Sequence, residues 1–100
     1  MYSLEQIRED LRDIRYYYAH KDVFDKNEVS VGVNVVKRKV EKYNAVIVFA
    51  PPRFYDLYVG LYVDGYAPSA YAMKCGYATN YIYKVNNELQ SFFQKNLKED

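Results

Sequence analysis

The sequence predicts a small all-α protein, a bundle of about five helices with a helix-turn-helix near its C-terminal end. Three observations predict this fold: apolar residues recur at helical spacing near the N-terminus, a proline pair separates further periodic segments, and a glycine joins two helical patterns. Half of the residues are apolar and 27% are charged, which supports a packed core and excludes a disordered chain. One hundred residues is the usual size of one domain, so we expect a single unit, with N-terminal helices in residues 1–50 and the helix-turn-helix portion in residues 51–100.

The first predicted helix is the clearest element. Its apolar residues recur at intervals of three and four, with mostly charged residues between them, and therefore share one helical face. They are Leu4, Ile7, Leu11, Ile14 and Tyr18. Ser3 is the expected N-cap. The stripe is too short to hold a coiled-coil dimer by itself, so we expect one helix of an intramolecular bundle, although a contribution to a homodimer stays open.

The segment that follows has two interpretations. Between residues 20 and 34 the periodicity is lost and turn-forming residues accumulate, which predicts a loop. Alternating valines at residues 29–35 and a β-rich run at residues 45–50 would also fit two strands. We favour a helix over residues 35–49, because a strand would put charged and apolar residues on both of its faces. The apolar residues that recur at helical spacing are Val36, Val40, Tyr43, Ile47 and Ala50.

Prolines and glycines divide the C-terminal half into three more helices. Pro51 and Pro52 end one element and can start the next, whose apolar face continues to residue 62 before an Asp-Gly turn. A short helix opens at Pro68 and ends at Gly76. Thr79 is the expected N-cap of a last helix that reaches residue 96 or 97.

The pattern of residues 68–87 matches the needs of a helix-turn-helix. Such a hairpin needs a small residue where its helices meet, a residue that tolerates positive φ at the turn, and apolar residues that hold the second helix. Ala72 is the expected small contact and Gly76 the expected turn residue. The expected apolar contacts are Tyr71, Cys75, Tyr77, Ile82 and Val85. The alternative is an ordinary helical hairpin in which Gly76 is a simple C-cap.

The open face of the second helix carries the candidate DNA-binding residues, which are Thr79, Asn80, Tyr83, Lys84 and Asn87. Asn can bond bidentately to adenine, Lys can reach guanine or phosphate, and Thr offers a hydroxyl and a methyl, so these residue types suit the major groove. On the first helix, Ser69 and Lys74 are expected phosphate contacts. The net charge is only +1, so further phosphate contacts would have to come from a local basic cluster, unless that cluster is a solvated helix face. The cluster comprises Lys37, Arg38, Lys39, Lys42 and Arg53.

Six short stretches of the chain resemble a known family. They are DIRYYY at 13–18, KYN at 42–44, APPRFYDLYV at 50–59, GYAT at 76–79, YI at 81–82 and NNEL at 86–89. On these stretches the chain resembles short proteins of phages and integrative elements of Gram-positive bacteria, which are related in their C-terminal part to sigma-factor region 4. The resemblance implies that residues 54–63 pack under the hairpin, that residues 79–89 bind DNA, and that residues 35–49 are helical. Residues 67–71 depart from the family pattern, since they lack its polar opening.

Other chemistries are not indicated by the sequence. His20 and Cys75 stand in no pattern that predicts a metal site or an activated nucleophile, and we expect Cys75 to be a small core residue. We therefore expect no enzyme activity and no cofactor. The N-terminus lacks the apolar run of a signal peptide, and no apolar stretch is long enough to span a membrane, which predicts a cytoplasmic protein.

Two functional hypotheses follow from these observations. The first is a transcriptional regulator of phage or mobile-element type that binds double-stranded DNA through the major groove, with RNA polymerase as an expected second contact. The alternative is a protein-binding module on a helix-turn-helix scaffold, such as a phage inhibitor of a host protein or of a defence system.

Overall fold

A computed structural model describes residues 1–26 and 31–98, without the side chains of Val31 and Val33. Every regular element in those ranges is helical and none is a strand, which confirms the predicted all-α fold. The helices are α1 (Leu4–Ala19), α2 (Lys21–Lys26), α3 (Val31–Ile47), α4 (Pro52–Tyr58), α5 (Pro68–Cys75) and α6 (Thr79–Asn96), and α4 runs directly into a π-helix at Val59–Val63. None of the helices in the described ranges combines the length and the apolar composition that a membrane span requires.

Helix α1 forms as the sequence predicts. The Ser3 hydroxyl accepts a hydrogen bond from the Gln6 backbone N–H at 3.0 Å, as expected of an N-cap. Ile7, Leu11 and Ile14 are fully buried against the chain's own helices. Intramolecular packing therefore covers the middle of this stripe, as expected of one helix in a bundle.

The predicted loop over residues 20–34 is wrong for much of its length. Helix α2 begins directly after His20 and α3 already begins at Val31, whereas residues 27–30 lie outside the described part of the chain. Aromatic packing holds α2, since the Phe24 ring lies 5.2 Å from the Tyr17 ring of α1 between centroids, in an edge-on arrangement. Two of the turn-forming residues, Asp22 and Asp25, lie on this short helix, and both are exposed. Helix α2 therefore forms without an amphipathic stripe, which is the signal that the sequence analysis used to predict helices.

Helix α3 confirms the helical interpretation and excludes strands over residues 31–47. Val40, Tyr43 and Ile47 are buried on one face, as their spacing predicts. The helix ends two residues before the predicted end. Phe49 then lies in a turn, where its N–H donates to the Val46 carbonyl at 3.1 Å, and its side chain is 84% exposed.

Helix α6 is the centre of the fold. It packs against α1, α3, α4 and α5 and buries a stripe of four apolar residues, Ile82, Val85, Leu89 and Phe93. The Phe93 ring lies 4.8 Å from the ring of Tyr43 on α3 and 5.8 Å from the ring of Tyr58 on α4, between centroids. Since neighbours cover this stripe from several sides, the rotation of α6 about its own axis is fixed.

A buried carboxylate ties α1 to α3. Asp10 is only 3% exposed and accepts hydrogen bonds from the Tyr43 hydroxyl and the Gln6 side-chain amide, both at 2.8 Å. The Lys39 ammonium completes the set, 3.2 Å from Oδ1. A buried charge is tolerated only when its lone pairs are satisfied, and these donors meet that condition. The arrangement therefore specifies the register between the two helices.

Buried tyrosine hydroxyls link further helices in the same way. The Tyr58 hydroxyl donates to the Asn44 side-chain oxygen at 2.8 Å, and the Asn44 amide donates to the Tyr18 hydroxyl at 3.0 Å. Burial, with a smaller contribution from the Asp10 carboxylate, raises the pKa of Tyr43, and burial raises the pKa of Tyr58. Both rings therefore stay neutral in the fold well above the pH at which an exposed tyrosine ionises.

These shifts predict that alkaline conditions unfold the protein. In the unfolded chain Tyr43 and Tyr58 titrate near their ordinary pKa of about 10, so their contribution to stability is complete below about pH 10 and is lost as the pH rises toward the folded-state values. We expect the free energy of unfolding to fall by about 1.4 kcal/mol per pH unit for each ring above about pH 10. Urea unfolding across this range measures the slope.

Two tyrosine variants separate this effect from general alkaline damage. Tyr58→Phe should flatten the slope by about one tyrosine's share, or roughly 1.4 kcal/mol per pH unit. Tyr55→Phe, at an exposed position on the same helix, should leave the slope unchanged. Equal slopes for all three proteins would contradict the assignment.

Candidate nucleic-acid interface

The turn between α5 and α6 is built as the sequence predicts. Gly76 has φ 76° and ψ 26°, the left-handed conformation that glycine adopts without strain. The Tyr77 N–H donates to the Ala72 carbonyl at 2.9 Å and the Gly76 N–H to the Met73 carbonyl at 3.4 Å, a hydrogen-bonded helix ending. Ala72 is 1% exposed. The predicted small contact and the predicted turn residue are both confirmed.

The predicted apolar contacts of the hairpin are confirmed only in part. Ile82 and Val85 are buried, and Tyr71 is half-buried. Cys75 and Tyr77 are exposed, and their predicted core positions are wrong. Cys75 lies in the last turn of a helix of only eight residues, and Tyr77 follows the left-handed glycine, which turns the chain outward. The Tyr77 ring packs instead on the Tyr81 ring at the surface, 5.0 Å between centroids.

A close approach between Tyr71 and Gly60 sets the position of α5. Gly60 lies in the π-helix, and a Cβ atom added there would lie 2.2 Å from Cε1 of the Tyr71 ring, so only glycine leaves room for that ring. The Tyr71 hydroxyl donates to the Asp56 carbonyl at 3.3 Å. Burial, with a smaller contribution from the Cys75 thiol, raises the pKa of Tyr71 to about 12. The π-helix therefore forms the surface on which α5, the first helix of the hairpin, packs.

The outer face of α6 presents a polar stripe. Asn80, Lys84 and Asn87 follow one another at intervals of four and three, opposite the buried stripe, and all three are exposed. Ser91 continues the stripe by four residues. Tyr83 is exposed beside it. Four of the five predicted residues therefore share one side of a helix whose other side is fixed by the core, and Thr79 is the exception.

The start of α6 differs from the prediction. Ala78, not Thr79, is the N-cap, and it makes no side-chain capping bond. Thr79 is the first helical residue and is half-buried. The Gly76 turn and the extended Ala78 already direct the chain into the helix, so the threonine hydroxyl is not needed there. The N–H groups of the first turn of α6 consequently receive no side-chain cap.

The two phosphate candidates on α5 are at the surface. Ser69 lies exposed in the first turn of α5. Lys74 is exposed in its last turn, and its ammonium lies 4.6 Å from the centroid of the Tyr66 ring, a cation–π contact. Both side chains are on the hairpin, although Lys74 is oriented by an aromatic ring.

The predicted basic cluster divides between two parts of the surface. On α3, Lys37 lies 3.6 Å from Asp25, Lys39 lies 2.8 Å from Asp13, and Lys42 donates to the Tyr2 hydroxyl. Burial lowers the pKa of Lys39, but its hydrogen bonds and charge interactions with Asp13 and Asp10 outweigh that effect, so the pKa is raised. Arg38 is exposed. These contacts fit a solvated, ion-paired helix face.

Arg53 is the one member of the cluster beside the hairpin. Its guanidinium lies 3.5 Å from the Glu88 carboxylate of α6 and 4.7 Å from the centroid of the Phe54 ring. The pair offsets part of the negative charge of Glu88, the one acidic residue within α6. The sequence did not suggest this contact, because the two residues are far apart in the chain.

Three surface features were missed at the sequence level. The continuation of the stripe through Ser91 to Lys95 follows the same four-residue interval and was available from spacing alone. The ring pair of Tyr77 and Tyr81 and the exposure of Phe49 had no such signal, because each depends on where a helix ends.

The described residues offer few groups for metal binding or catalysis. Among the described residues no group of three or more His, Cys, Asp or Glu side chains is arranged to hold a metal ion. His20 is exposed and its ring stacks on Tyr16, 4.1 Å between centroids. No family model matches the chain, and no curated protein or solved structure is detectably similar to it.

The Gly60 contact predicts a stability effect that depends on Tyr71. Gly60→Ala should lower the free energy of unfolding by about 1 to 3 kcal/mol, because the added methyl overlaps the Tyr71 ring. In a Tyr71→Ala background the ring is absent, and alanine exceeds glycine in helix propensity by roughly 1 kcal/mol, so the same change should be neutral or stabilising. Urea unfolding of the four proteins measures this cycle. An equal loss in both backgrounds would contradict the proposed packing of the Tyr71 ring against Gly60.

Proposed function

We propose that this protein is a sequence-specific, DNA-binding transcriptional regulator that contacts the major groove with the outer face of α6. The observation that carries the proposal is the exposed stripe of Asn80, Lys84 and Asn87 on a helix whose opposite face is locked in the core, directly after the Gly76 turn. A recognition helix needs both properties, since its side chains must reach base edges and its orientation must not vary.

The chemistry of the stripe fits base edges and phosphates. Asn80 and Asn87 can each donate to and accept from an adenine edge, and Lys84 between them can reach a guanine or a phosphate. The uncapped N–H groups at the start of α6 point along the helix axis and carry its positive dipole end, which suits a phosphate beside the groove. Ser69 and Lys74 on α5 would contact the backbone on the other side of the turn.

The charges of the hairpin favour weak binding to phosphates. Glu88 is the acidic residue beside the stripe, and its pairing with Arg53 reduces the repulsion that a phosphate would meet there. Lys74 and Lys84 then leave the hairpin positive. With so few cations we expect a shallow salt dependence, with a slope of log affinity against log salt of about −2 to −3.

The resemblance to phage and mobile-element proteins related to sigma-factor region 4 agrees with this proposal. It supports a cytoplasmic regulator that acts beside RNA polymerase. The described stretches that carry it include the turn at Gly76 and the residues around Asn87, which are parts of the proposed interface.

The proposal predicts how single substitutions change binding to a duplex. The duplex is obtained by selecting the full chain on random double-stranded DNA at low and moderate salt. Asn80→Ala should weaken binding to it by roughly 10- to 100-fold and relax specificity at one position. Lys84→Ala should also weaken binding and reduce the salt slope by about one. Gel-shift titration at several salt concentrations measures both effects.

Lys21→Ala is the matched control for Lys84→Ala. It removes the same charge from an exposed position on α2, a helix that packs on α1 and carries no residue of the proposed interface. We expect it to bind the selected duplex within about twofold of the unsubstituted chain, and all three variants to unfold within about 0.5 kcal/mol of it. If no duplex is enriched, or if Asn80→Ala and Lys84→Ala bind as the parent does, the proposal fails.

A protein-binding module is the second candidate, and the exposed aromatic rings of the hairpin favour it. Tyr77, Tyr81 and Tyr83 are all exposed, and Met73 on the first helix of the hairpin is 84% exposed. Tyrosine and methionine are enriched in protein interfaces, where large side chains add contact area. A bacterial partner, such as a component of a defence system, that is retained after nuclease treatment and lost with Tyr83→Ala would favour this candidate over DNA.

A further inference from the structure

A cavity of about 150 Å³ lies between α4, α5 and α6. Its floor is apolar, because Leu57 of α4 and Ile82 and Val85 of α6 line it and all three are buried. An apolar engineered cavity of about 150 Å³ stays dry and takes up benzene. The volume and the floor therefore suit a ligand with one six-membered ring.

Tyrosine rings form the sides of the cavity. Tyr71 of α5, Tyr77 of the turn and Tyr81 of α6 line it. The Tyr77 and Tyr81 rings pack on each other, 5.0 Å between centroids, and the Tyr71 ring is held by its close approach to Gly60. Aromatic rings pack favourably on one another in edge-on or offset arrangements, so these sides favour an aromatic ligand over an aliphatic one of equal volume.

The rim of the cavity carries one cation and one anion. Arg53 and Asp56 are exposed, and of the described residues that line the cavity these two alone are charged. Arg53 contacts Glu88 of α6 at 3.5 Å, and its guanidinium has further N–H donors beyond that contact. A benzoate would meet the like charge of Asp56, and a benzylammonium would meet that of Arg53. A neutral hydroxyl can instead accept from the guanidinium and donate to the carboxylate.

We propose that this cavity binds an uncharged phenol group. Its ring would contact Leu57, Ile82 and Val85, and its hydroxyl would lie at the rim between Arg53 and Asp56. An apolar pocket with a few polar groups at its mouth is the usual form of a small-molecule site. No residue of the outer stripe lines the cavity, so the proposal does not depend on DNA binding.

Methyl nuclear magnetic resonance of the full chain can measure binding at the cavity floor itself, which consists of leucine, isoleucine and valine. The probe is phenol, titrated into protein with ¹³C-labelled methyl groups. We expect saturable shifts with a Kd on the order of 1 mM, as suits so small a ligand. Nuclear Overhauser effects should connect the phenol ring to the methyls of Leu57, Ile82 and Val85. The methyls of Ile7 and Ile14, buried on α1, should show neither effect.

Charged rings of similar size test the rim. Benzoate and benzylammonium should each bind about fivefold or more weakly than phenol at neutral pH, because each meets a like charge. Asp56→Asn removes the charge that opposes benzoate, so the affinity of benzoate relative to phenol should rise about threefold or more. Asp64→Asn removes the same charge from an exposed position outside the cavity lining, and it should leave that ratio unchanged.

A variant that fills the cavity should lose phenol. Cys75 is exposed and lines the rim, so Cys75→Phe adds a ring that gains free energy by entering the apolar space. We expect it to weaken phenol binding about tenfold or more. Met73→Phe adds the same ring on the same helix, at a position that is 84% exposed and outside the lining, and should bind phenol within about twofold of the parent.

Free phenols and the tyrosine of another protein carry the same group, and two further probes distinguish these sources. The compound p-cresol has the tyrosine ring alone, whereas N-acetyltyrosinamide adds a peptide backbone. Binding of p-cresol that is as tight or tighter assigns the cavity to free compounds, and tighter binding of N-acetyltyrosinamide assigns it to a protein side chain.

Four results would overturn the proposal. They are no saturable shift at the floor methyls, Overhauser effects to the α1 methyls instead, benzoate or benzylammonium binding as tightly as phenol, and phenol binding that Cys75→Phe leaves unchanged.

Discussion

The packing of one face of α6 is the constraint on which the rest of this structure depends. Ile82, Val85, Leu89 and Phe93 lie under four neighbouring helices. Each such side chain contributes on the order of 1.5 to 3 kcal/mol when buried, so turning α6 to expose the stripe would cost a free energy comparable to a small domain's whole stability. The outer face is therefore fixed by the inner one, and the stripe of Asn80, Lys84 and Asn87 has a defined direction without any ligand.

Two local contacts fix the position of α5 relative to α6. Gly76 sets the angle at which α5 leaves α6, and the Tyr71 ring over Gly60 sets its depth. The buried Asp10 with its three donors acts differently: a satisfied buried charge adds little net stability but strongly disfavours other registers of α1 against α3. Apolar burial thus supplies the stability of this fold, and glycines and polar contacts supply its uniqueness.

The long amphipathic helices and the position of the hairpin turn could be predicted from the sequence, because they rest on local spacing and on the special conformation of Gly76. What could not be predicted depends on tertiary contacts. Helix α2 has no apolar stripe and is held by the Phe24 ring, which packs on Tyr17. The prediction that Cys75 is buried was wrong, because its exposure depends on where α5 ends. In the candidate site, the stripe on α6 follows from periodicity, whereas the Arg53–Glu88 pair and the exposed Phe49 do not.

Nuclear magnetic resonance can test, at single residues, whether a duplex meets the outer stripe of α6. Asn86 and Asn87 are adjacent, but Asn86 is half-buried with its side-chain oxygen accepting from the Tyr62 hydroxyl at 2.7 Å, whereas Asn87 is exposed. Titration of the ¹⁵N-labelled chain with the selected duplex should shift the side-chain amide signals of Asn80 and Asn87 and leave that of Asn86 in place. Shifts confined to the α3 face around Arg38, with the signals of Asn80 and Asn87 unmoved, would contradict the account.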